Sequence, residues 1–375
     1  MSDARYKKPP ENFLSDFANQ ENARNLLWKS YVSGRIASAY LFSGPKGVGK
    51  FAAALEWIKF IKCPNKSDGA YCNRCNICKT ISLWDNPDVY IIFPMPANVW
   101  EKDEKTAQNA YEEFRQSPYT RPAISASAEI LISMIYDVQK FLSTPATSNS
   151  GKFVLVADAH QMNTIAANAF LKTLEEPPPD VHIILITNQE KSILPTIISR
   201  TQIVKFNRMN TAEICHHLIK DYGLSSEKAE YLARISEGSM ATANSFLTED
   251  FQSIRGDAID VFKWSIQADL INLWQWANND APSDSNYITI FLRIIHSLVR
   301  DTAVFLSNGE ILNIDVKPII QSAAQKNMDA ESALNLSRQI EQLREDTNRN
   351  PQFKLIYGAI VSVLMNGFHL DKKSQ

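Results

Sequence analysis

Short, continuous apolar runs alternate with amphipathic segments through the first two hundred residues. Five of these runs are expected to be β-strands: residues 39–42, 89–93, 153–157, 182–187 and 202–206. They lack the strict polar–apolar alternation of a half-exposed strand, which is typical of parallel strands covered on both faces. Because helical patterns separate the runs, the sequence predicts an α/β fold with a parallel sheet.

Helix signals support this organisation and extend it. After the third run, Asn163 is a good N-cap, and the apolar residues Ala167, Phe170 and Leu174 recur at helical spacing before Pro177 ends the segment. Beyond about residue 251 only helical patterns are found. We therefore predict the domains listed here: an α/β core over 1–207 with an insertion of unassigned role at about 95–128, a small helical lid over 208–250, and an all-α domain over 251–375.

Charge and hydropathy narrow the functional classes. The 39 basic and 41 acidic residues nearly cancel, so no strong overall field attracts nucleic acid, and any DNA contact is expected to be local or made through partners. The N-terminal residues lack the apolar core of a signal peptide. The apolar stretch 353–365 is too short to span a bilayer. A cytoplasmic protein with no membrane contact is expected.

The segment after the first apolar run has the spacing of a phosphate-binding loop. Gly44, Gly47, Gly49 and Lys50 fit the P-loop pattern G-x-x-x-x-G-K-[ST], but Phe51 stands at the final hydroxyl position. Such glycines let backbone N–H groups curl round phosphates, and the lysine reaches the outer phosphates. A phenyl ring offers no oxygen to Mg²⁺. The order strand, loop, helix favours a P-loop fold with an altered metal position over a chance glycine-rich turn.

Four of the five cysteines lie close together, at Cys63, Cys72, Cys75 and Cys78. In a cytoplasmic chain this clustering indicates a metal rather than disulfides. Four thiolates form a closed tetrahedral site, which suits structural zinc. An iron–sulfur cluster is the alternative, although nothing else in the chain suggests electron transfer. The isolated Cys215 is interpreted as a small buried apolar residue.

The combination of these motifs is unusual. A cysteine loop after a P-loop helix, together with Leu171-Lys-Thr-Leu-Glu-Glu-Pro-Pro and Leu194-Pro-Thr-Ile-Ile-Ser-Arg200, resembles the bacterial clamp-loader subunits of the AAA+ superfamily. These are the gamma/tau and delta-prime subunits of DNA polymerase III. The resemblance covers about residues 20–250. Over 251–375 it is only architectural, and it implies the helical collar domain that holds a five-subunit ring together.

The resemblance also implies parts of an ATP site that this chain lacks. An active member has an Asp–Glu pair after the third strand, whereas Asp158 is followed here by Ala159; the family's ATP-sensing arginine is replaced by Ala241. With Phe51, three parts of one site are missing, and phosphoryl transfer depends on such positioning and electrostatics. We expect weak or absent ATP binding at Gly44, Gly47, Gly49, Lys50 and Asp158 and no hydrolysis, a pattern that resembles delta-prime rather than gamma/tau.

Arg200 is retained in its motif. In the family, the Ser-Arg-Cys motif presents an arginine finger to the ATP site of a neighbouring subunit, and here Thr201 follows Ser199 and Arg200. The resemblance therefore implies that Arg200 acts in trans, where an arginine finger is worth roughly 10³–10⁵ in rate. The alternative is an arginine that caps a helix C-terminus.

The function implied by the resemblance is that of a non-catalytic delta-prime-type subunit of the DNA polymerase III clamp loader, with structural Zn²⁺. Its expected partners are the gamma/tau-type ATPase subunits and the delta subunit, with the sliding clamp and primed DNA bound through the complex. Two alternatives remain open: a slow gamma/tau-type ATPase, and a zinc-dependent interaction protein built on an inactive NTPase fold.

Overall fold

The computed structural model describes residues 8–17, 19–116, 128–247, 250–326, 328–347 and 352–369. The chain divides into two compact units. The first comprises residues up to 217 together with 238–241, and the second comprises 218–237 and the residues from 242 onward. The predicted lid is thus shared between the units, and the predicted domain boundaries stay predictions. Of the insertion at about 95–128, residues 117–127 lie outside the described part.

Five parallel strands form the sheet of the first unit. They are β1 (Ala39–Ser43), β2 (Val89–Ile92), β3 (Lys152–Val156), β4 (Val181–Thr187) and β5 (Gln202–Lys205). Their order across the sheet is β2-β3-β4-β1-β5, and each neighbouring pair is parallel. The predicted α/β fold with a parallel sheet is confirmed, and each predicted strand end lies within one residue of its place in the structure.

The strands differ in how well they are covered. Every residue of β1 and of β3 is buried. In β5 only Val204 is buried, while Gln202 and Lys205 are exposed. The expectation that all five strands are covered on both faces was therefore wrong for β5. The reason is its position: among the described residues β5 pairs only with β1, so it is an outer strand of the sheet, where polar side chains reach water.

Helices surround this sheet. Those that begin in the first unit are α1 (Glu21–Val32), α2 (Lys50–Lys62), α3 (Asn76–Ser82), α4 (Ala97–Lys102), α5 (Glu104–Gln116), α6 (Ile132–Ser143), α7 (Thr164–Glu175), α8 (Pro195–Ile198) and α9 (Thr211–Tyr222), with 3₁₀ turns at Ser15–Phe17, Ala159–Gln161 and Glu190–Ser192. Helix α7 begins as predicted, because the Asn163 side chain accepts a hydrogen bond from the Ala166 N–H at 2.9 Å.

The remaining helices belong to the second unit, apart from the first two residues of α11, which belong to the first unit. They are α10 (Ser226–Ile235), α11 (Met240–Ser245), α12 (Asp250–Gln267), α13 (Leu270–Gln275), α14 (Ser285–Leu306), α15 (Lys317–Ala324), α16 (Ala330–Asp346) and α17 (Phe353–His369), with a π-helical turn at Trp276–Asp280 and a 3₁₀ turn at Ile314–Val316. None of the helices within the described ranges is both long and apolar enough to cross a bilayer.

A buried ion pair fixes the end of α2. Lys62 Nζ lies 3.0 Å from Asp88 Oδ2, and both side chains are 1% exposed. The lysine also donates to the Ser148 hydroxyl and the Gly151 carbonyl. Asp88 accepts in addition from the Thr147 N–H and the Ser148 hydroxyl. The pair therefore joins α2, the start of β2 and the loop before β3, and it fixes the residue that precedes Cys63.

This environment favours the charged carboxylate. Burial alone would raise the pKa of Asp88, but the hydrogen bonds from Thr147, Lys62 and Ser148 outweigh burial and lower the pKa to about 2. The folded-state pKa thus lies below the ordinary value of 3.8. Stabilisation by Asp88 is fully present above that value and is lost as the pH falls toward 2.

We expect Asp88→Asn to lower the free energy of unfolding at pH 7 by about 3–5 kcal/mol, because the Lys62 ammonium would stay buried without its counter-ion. Urea unfolding from pH 7 down to pH 2 measures this, and the difference between variant and wild type should shrink below about pH 4. Asp85→Asn, at an exposed aspartate of the same loop, is the matched control. Equal stability of the two variants would contradict this account.

Candidate functional site

The glycine-rich loop (residues 44–49) lies at the carboxyl ends of the parallel strands, where ligands of α/β proteins usually bind. Gly44 follows β1 directly, and Asp158 lies two residues beyond β3. Strands β1 and β3 both pair with β4 in parallel. Their carboxyl ends therefore lie on the same side of the sheet. The residues predicted for a nucleotide site thus lie together at the carboxyl ends of β1 and β3.

Lys50, the first residue of α2, contacts its own loop. Its side chain is buried, and Nζ donates hydrogen bonds to the carbonyl oxygens of Gly44, at 2.8 Å, and of Pro45. Two loop carbonyls therefore bind the ammonium group that a P-loop would direct toward phosphate.

A second segment packs against the same loop within the first unit. Gly47 has φ +77°, and a Cβ built on it would lie 2.2 Å from the Ser239 hydroxyl and 2.7 Å from the Ala241 Cβ. The Ala241 N–H donates to the Gly47 carbonyl at 3.2 Å. Only glycine fits at position 47 under these conditions. The segment 239–241 thus packs directly on the glycine-rich loop.

Phe51 is part of the apolar core. It is 2% exposed, and its ring centroid lies 4.4 Å from that of Phe114 and 5.3 Å from that of Trp84. Trp84 and Phe114 also contact each other edge to face at 5.0 Å, and Phe93 contacts Phe114 at 5.1 Å. We call these four residues the Phe51 cluster. The position that would hold a Mg²⁺-binding hydroxyl is occupied by a packed aromatic ring.

The predicted insertion contributes to this cluster through α5. Its buried face consists of Ala107, Ala110 and Phe114. Next to Ala110, the Tyr111 hydroxyl donates to the Ile91 carbonyl of β2 at 2.8 Å. The described part of the insertion therefore packs its apolar face on the core beside Phe51.

The four clustered cysteines converge as their spacing predicts. Their Sγ atoms all lie within 4.8 Å of one another. The N–H groups of Cys72, Cys75 and Cys78 each donate to the sulfur of the preceding cysteine at 3.4 Å. Sulfurs this close fit one ion, because Zn–S bonds of about 2.3 Å place tetrahedral ligands roughly 3.8 Å apart. The cluster can hold a metal ion such as zinc. In a [2Fe–2S] or [4Fe–4S] cluster the four cysteines would be shared among two or four iron atoms rather than bound to one ion.

The thiols of this cluster differ in acidity. Hydrogen bonding from the Arg74 N–H lowers the pKa of Cys72 to about 6. Burial instead raises the pKa of Cys63 and of Cys78. Binding of a metal must therefore displace protons from the two buried thiols. The fifth cysteine, Cys215, is partly rather than fully buried on α9.

Arg200 lies at the surface, just after α8. Its side chain is 35% exposed, and Nη2 lies 2.7 Å from Glu175 Oε1 at the end of α7. Nη1 donates to the Thr196 carbonyl at 2.9 Å and to the Ser199 hydroxyl at 3.3 Å. Arg200 thus binds a carbonyl of α8, as the helix-capping interpretation requires, and it is accessible from solvent, as the arginine-finger interpretation requires.

The predicted site residues fall into three separate groups: the loop with Asp158, the cysteines, and Arg200. Sequence reasoning missed Ser239 beside the loop, Phe114 beside Phe51, and Glu175 beside Arg200. Only Glu175 had a signal in the sequence, since it belongs to the Leu-Glu-Glu-Pro-Pro segment. The other two contacts arise from tertiary packing.

The parallel sheet, the surrounding helices and the loop after β1 define an α/β protein with the layout of P-loop folds. A family model described as DNA polymerase III, delta subunit, matches residues 19–210, just over half of the chain. The chain belongs to this family of AAA+ clamp-loader subunits and is related to delta-prime.

Two curated relatives come from Bacillus subtilis. The chain is 29% identical to DNA polymerase III subunit tau over 257 residues, which are 67% of this chain and 40% of tau. It is 28% identical to DNA polymerase III subunit delta' over 244 residues, which are 65% of this chain and 64% of that protein. Less than two thirds of each relative is therefore covered. A crystal structure of a gamma subunit-related protein from Thermotoga maritima aligns with 93% of this chain and 100% of its own, at 16% identity and a TM-score of 0.44.

We expect the chain to be purified with one zinc ion, and Cys72→Ala to lose that ion because three thiolates remain for a tetrahedral site. The cysteine loop packs, at Gly69, on the N-terminal segment near Pro10 and Phe13. Loss of metal should therefore lower the unfolding midpoint by roughly 5 °C or more. Elemental analysis and thermal unfolding measure both effects.

Cys215→Ala is the control for this experiment, since it removes a cysteine outside the cluster and should retain the metal. If Cys72→Ala bound as much zinc as the control and unfolded at the same temperature, the assignment of a four-cysteine zinc site would be wrong.

Proposed function

We propose that this chain is a delta-prime-type subunit of the DNA polymerase III clamp loader that does not hydrolyse ATP itself. It would contribute to the ring as a scaffold and supply Arg200 to the ATP site of an adjacent subunit. Membership of the family and the similarity to delta' and tau support the role in replication. The burial of Phe51 is the observation that supports most directly the proposal that the chain does not hydrolyse ATP.

Three features of the loop region support the lack of turnover. Phe51 is enclosed by aromatic side chains, so no hydroxyl is available there for Mg²⁺. Lys50 is bound to carbonyls of its own loop. Ala159 and Ala241 stand where the family has a glutamate that positions water and an arginine that contacts ATP. A site without these groups would lose most of the positioning on which phosphoryl transfer depends.

The accessibility of Arg200 supports its action in trans. A guanidinium that is 35% exposed can reach an anion on another molecule. Its surface ion pair is weak, since exposed pairs contribute about 0–1 kcal/mol. The contact with Glu175 therefore opposes the approach of a phosphate to Arg200 only weakly.

The second unit would provide the collar, with residues 208–250 as the lid. The exposed face of α13 is consistent with a subunit contact: Leu270, Ile271 and Trp274 are 61, 79 and 64% exposed. Large apolar side chains clustered on a surface commonly mark an interface. We propose gamma/tau-type and delta subunits as the partners. The sliding clamp and primed DNA would bind to the assembly, and the zinc loop would be structural.

A slow gamma/tau-type ATPase is the second candidate. The identity to tau equals that to delta' within one percentage point, so overall similarity does not separate the two classes. The distinction depends on the residues of the loop region and on hydrolysis by the isolated chain.

The test of the arginine finger uses a loader reconstituted with this chain and its partner ATPases. Arg200→Ala should slow ATP hydrolysis at the ATP site of the adjacent subunit by roughly 10³-fold or more, since the negative charge of the transition state loses its counter-charge. Pre-steady-state hydrolysis with primed DNA measures this rate, and gel filtration should show unchanged assembly.

Arg35→Ala removes an exposed arginine elsewhere in the first unit and serves as the control for net charge. If loaders with Arg200→Ala and Arg35→Ala hydrolysed ATP equally fast, Arg200 would have only its local capping role.

A further inference from the structure

The Arg200 guanidinium is held by oxygens from three residues. Glu175 contacts Nη2, while the Thr196 carbonyl and the Ser199 hydroxyl contact Nη1. A guanidinium has five N–H groups. Nη1 donates the two hydrogen bonds and Nη2 meets Glu175 as an ion pair, so Nε–H and the N–H groups of Nη2 make no hydrogen bond within the described part of the chain. The side chain is thus fixed at one end and still able to bind an anion.

Glu175 is the contact that comes from a different helix. Thr196 and Ser199 lie within four residues of Arg200, whereas Glu175 is the last residue of α7. An arginine side chain has several rotatable bonds and samples many rotamers when exposed. An acceptor on a neighbouring helix restricts that sampling because the backbone that carries Glu175 is fixed in α7. The carboxylate therefore selects the direction of the guanidinium.

We propose that Glu175 is a positioning residue for Arg200, an inference that rests on the proposed arginine finger. It holds the guanidinium in one orientation at the surface before the adjacent subunit is engaged. The pair is partly exposed, with Arg200 at 35% and Glu175 at 48%, so water and salt screen the carboxylate charge. The remaining N–H groups of Arg200 therefore attract a phosphate while the geometry is maintained.

Holding a catalytic group in place affects turnover more than substrate binding. In the reconstituted loader, Glu175→Ala should lower the rate of hydrolysis at the neighbouring ATP site by roughly two- to fivefold, with the KM for ATP unchanged, because a weak exposed ion pair can favour one orientation of Arg200 by no more than that. Glu175→Gln keeps an oxygen acceptor and should recover most of the rate. In an Arg200→Ala background, Glu175→Ala should have no further effect.

Glu176→Ala is the matched control. Glu176 is the next residue, carries the same charge and is exposed, and within the described ranges it forms no ion pair. Its substitution should leave the rate unchanged. The two alanine variants should unfold at the same temperature, because an exposed ion pair adds little stability.

The outcomes separate this inference from the proposed function. If Arg200→Ala is without effect, the arginine finger itself is wrong. If Arg200→Ala slows hydrolysis but Glu175→Ala behaves like Glu176→Ala, only the role of Glu175 is overturned. It is also overturned if Glu175→Ala speeds hydrolysis, because Glu175 would then hold Arg200 away from its target.

Discussion

The packing of Phe51 against Phe114 and Trp84 is the interaction on which the rest of this structure depends. Burial of a phenylalanine side chain contributes about 1.5–3 kcal/mol, and each aromatic pair adds about 0.5–1.5 kcal/mol. This stabilisation holds the described part of the insertion on the core through α5. It also excludes a Mg²⁺ ligand, since one position cannot supply both a buried ring and a metal-binding hydroxyl.

Helix α2 carries three of the features that define this protein. Its first residue, Lys50, donates hydrogen bonds to the glycine-rich loop. Its second residue, Phe51, packs in the Phe51 cluster. Its last residue, Lys62, pairs with Asp88 and so sets the position of Cys63. The cysteine loop and the glycine-rich loop are thus fixed by opposite ends of one helix.

Much of the fold followed from local pattern. The strands and the start of α7 at Asn163 were predictable because apolar runs and N-caps act over a few residues. The exposure of β5 was not, since being an edge strand is a property of the whole sheet. The cysteine site was predictable because its spacing encodes its geometry. The contacts of Phe51 with Phe114 and of Arg200 with Glu175 join distant segments, and no periodicity reports them.

The most direct test returns the missing hydroxyl. Phe51→Thr should lower the free energy of unfolding of the first unit by about 3–5 kcal/mol, because it leaves a cavity and buries a polar group. Phe51→Leu, a smaller apolar change, should cost less. We predict that the isolated wild-type chain and both variants show no Mg-ATP turnover. Full stability of Phe51→Thr together with restored ATP hydrolysis would contradict the account, as would motor-like turnover by the wild-type chain.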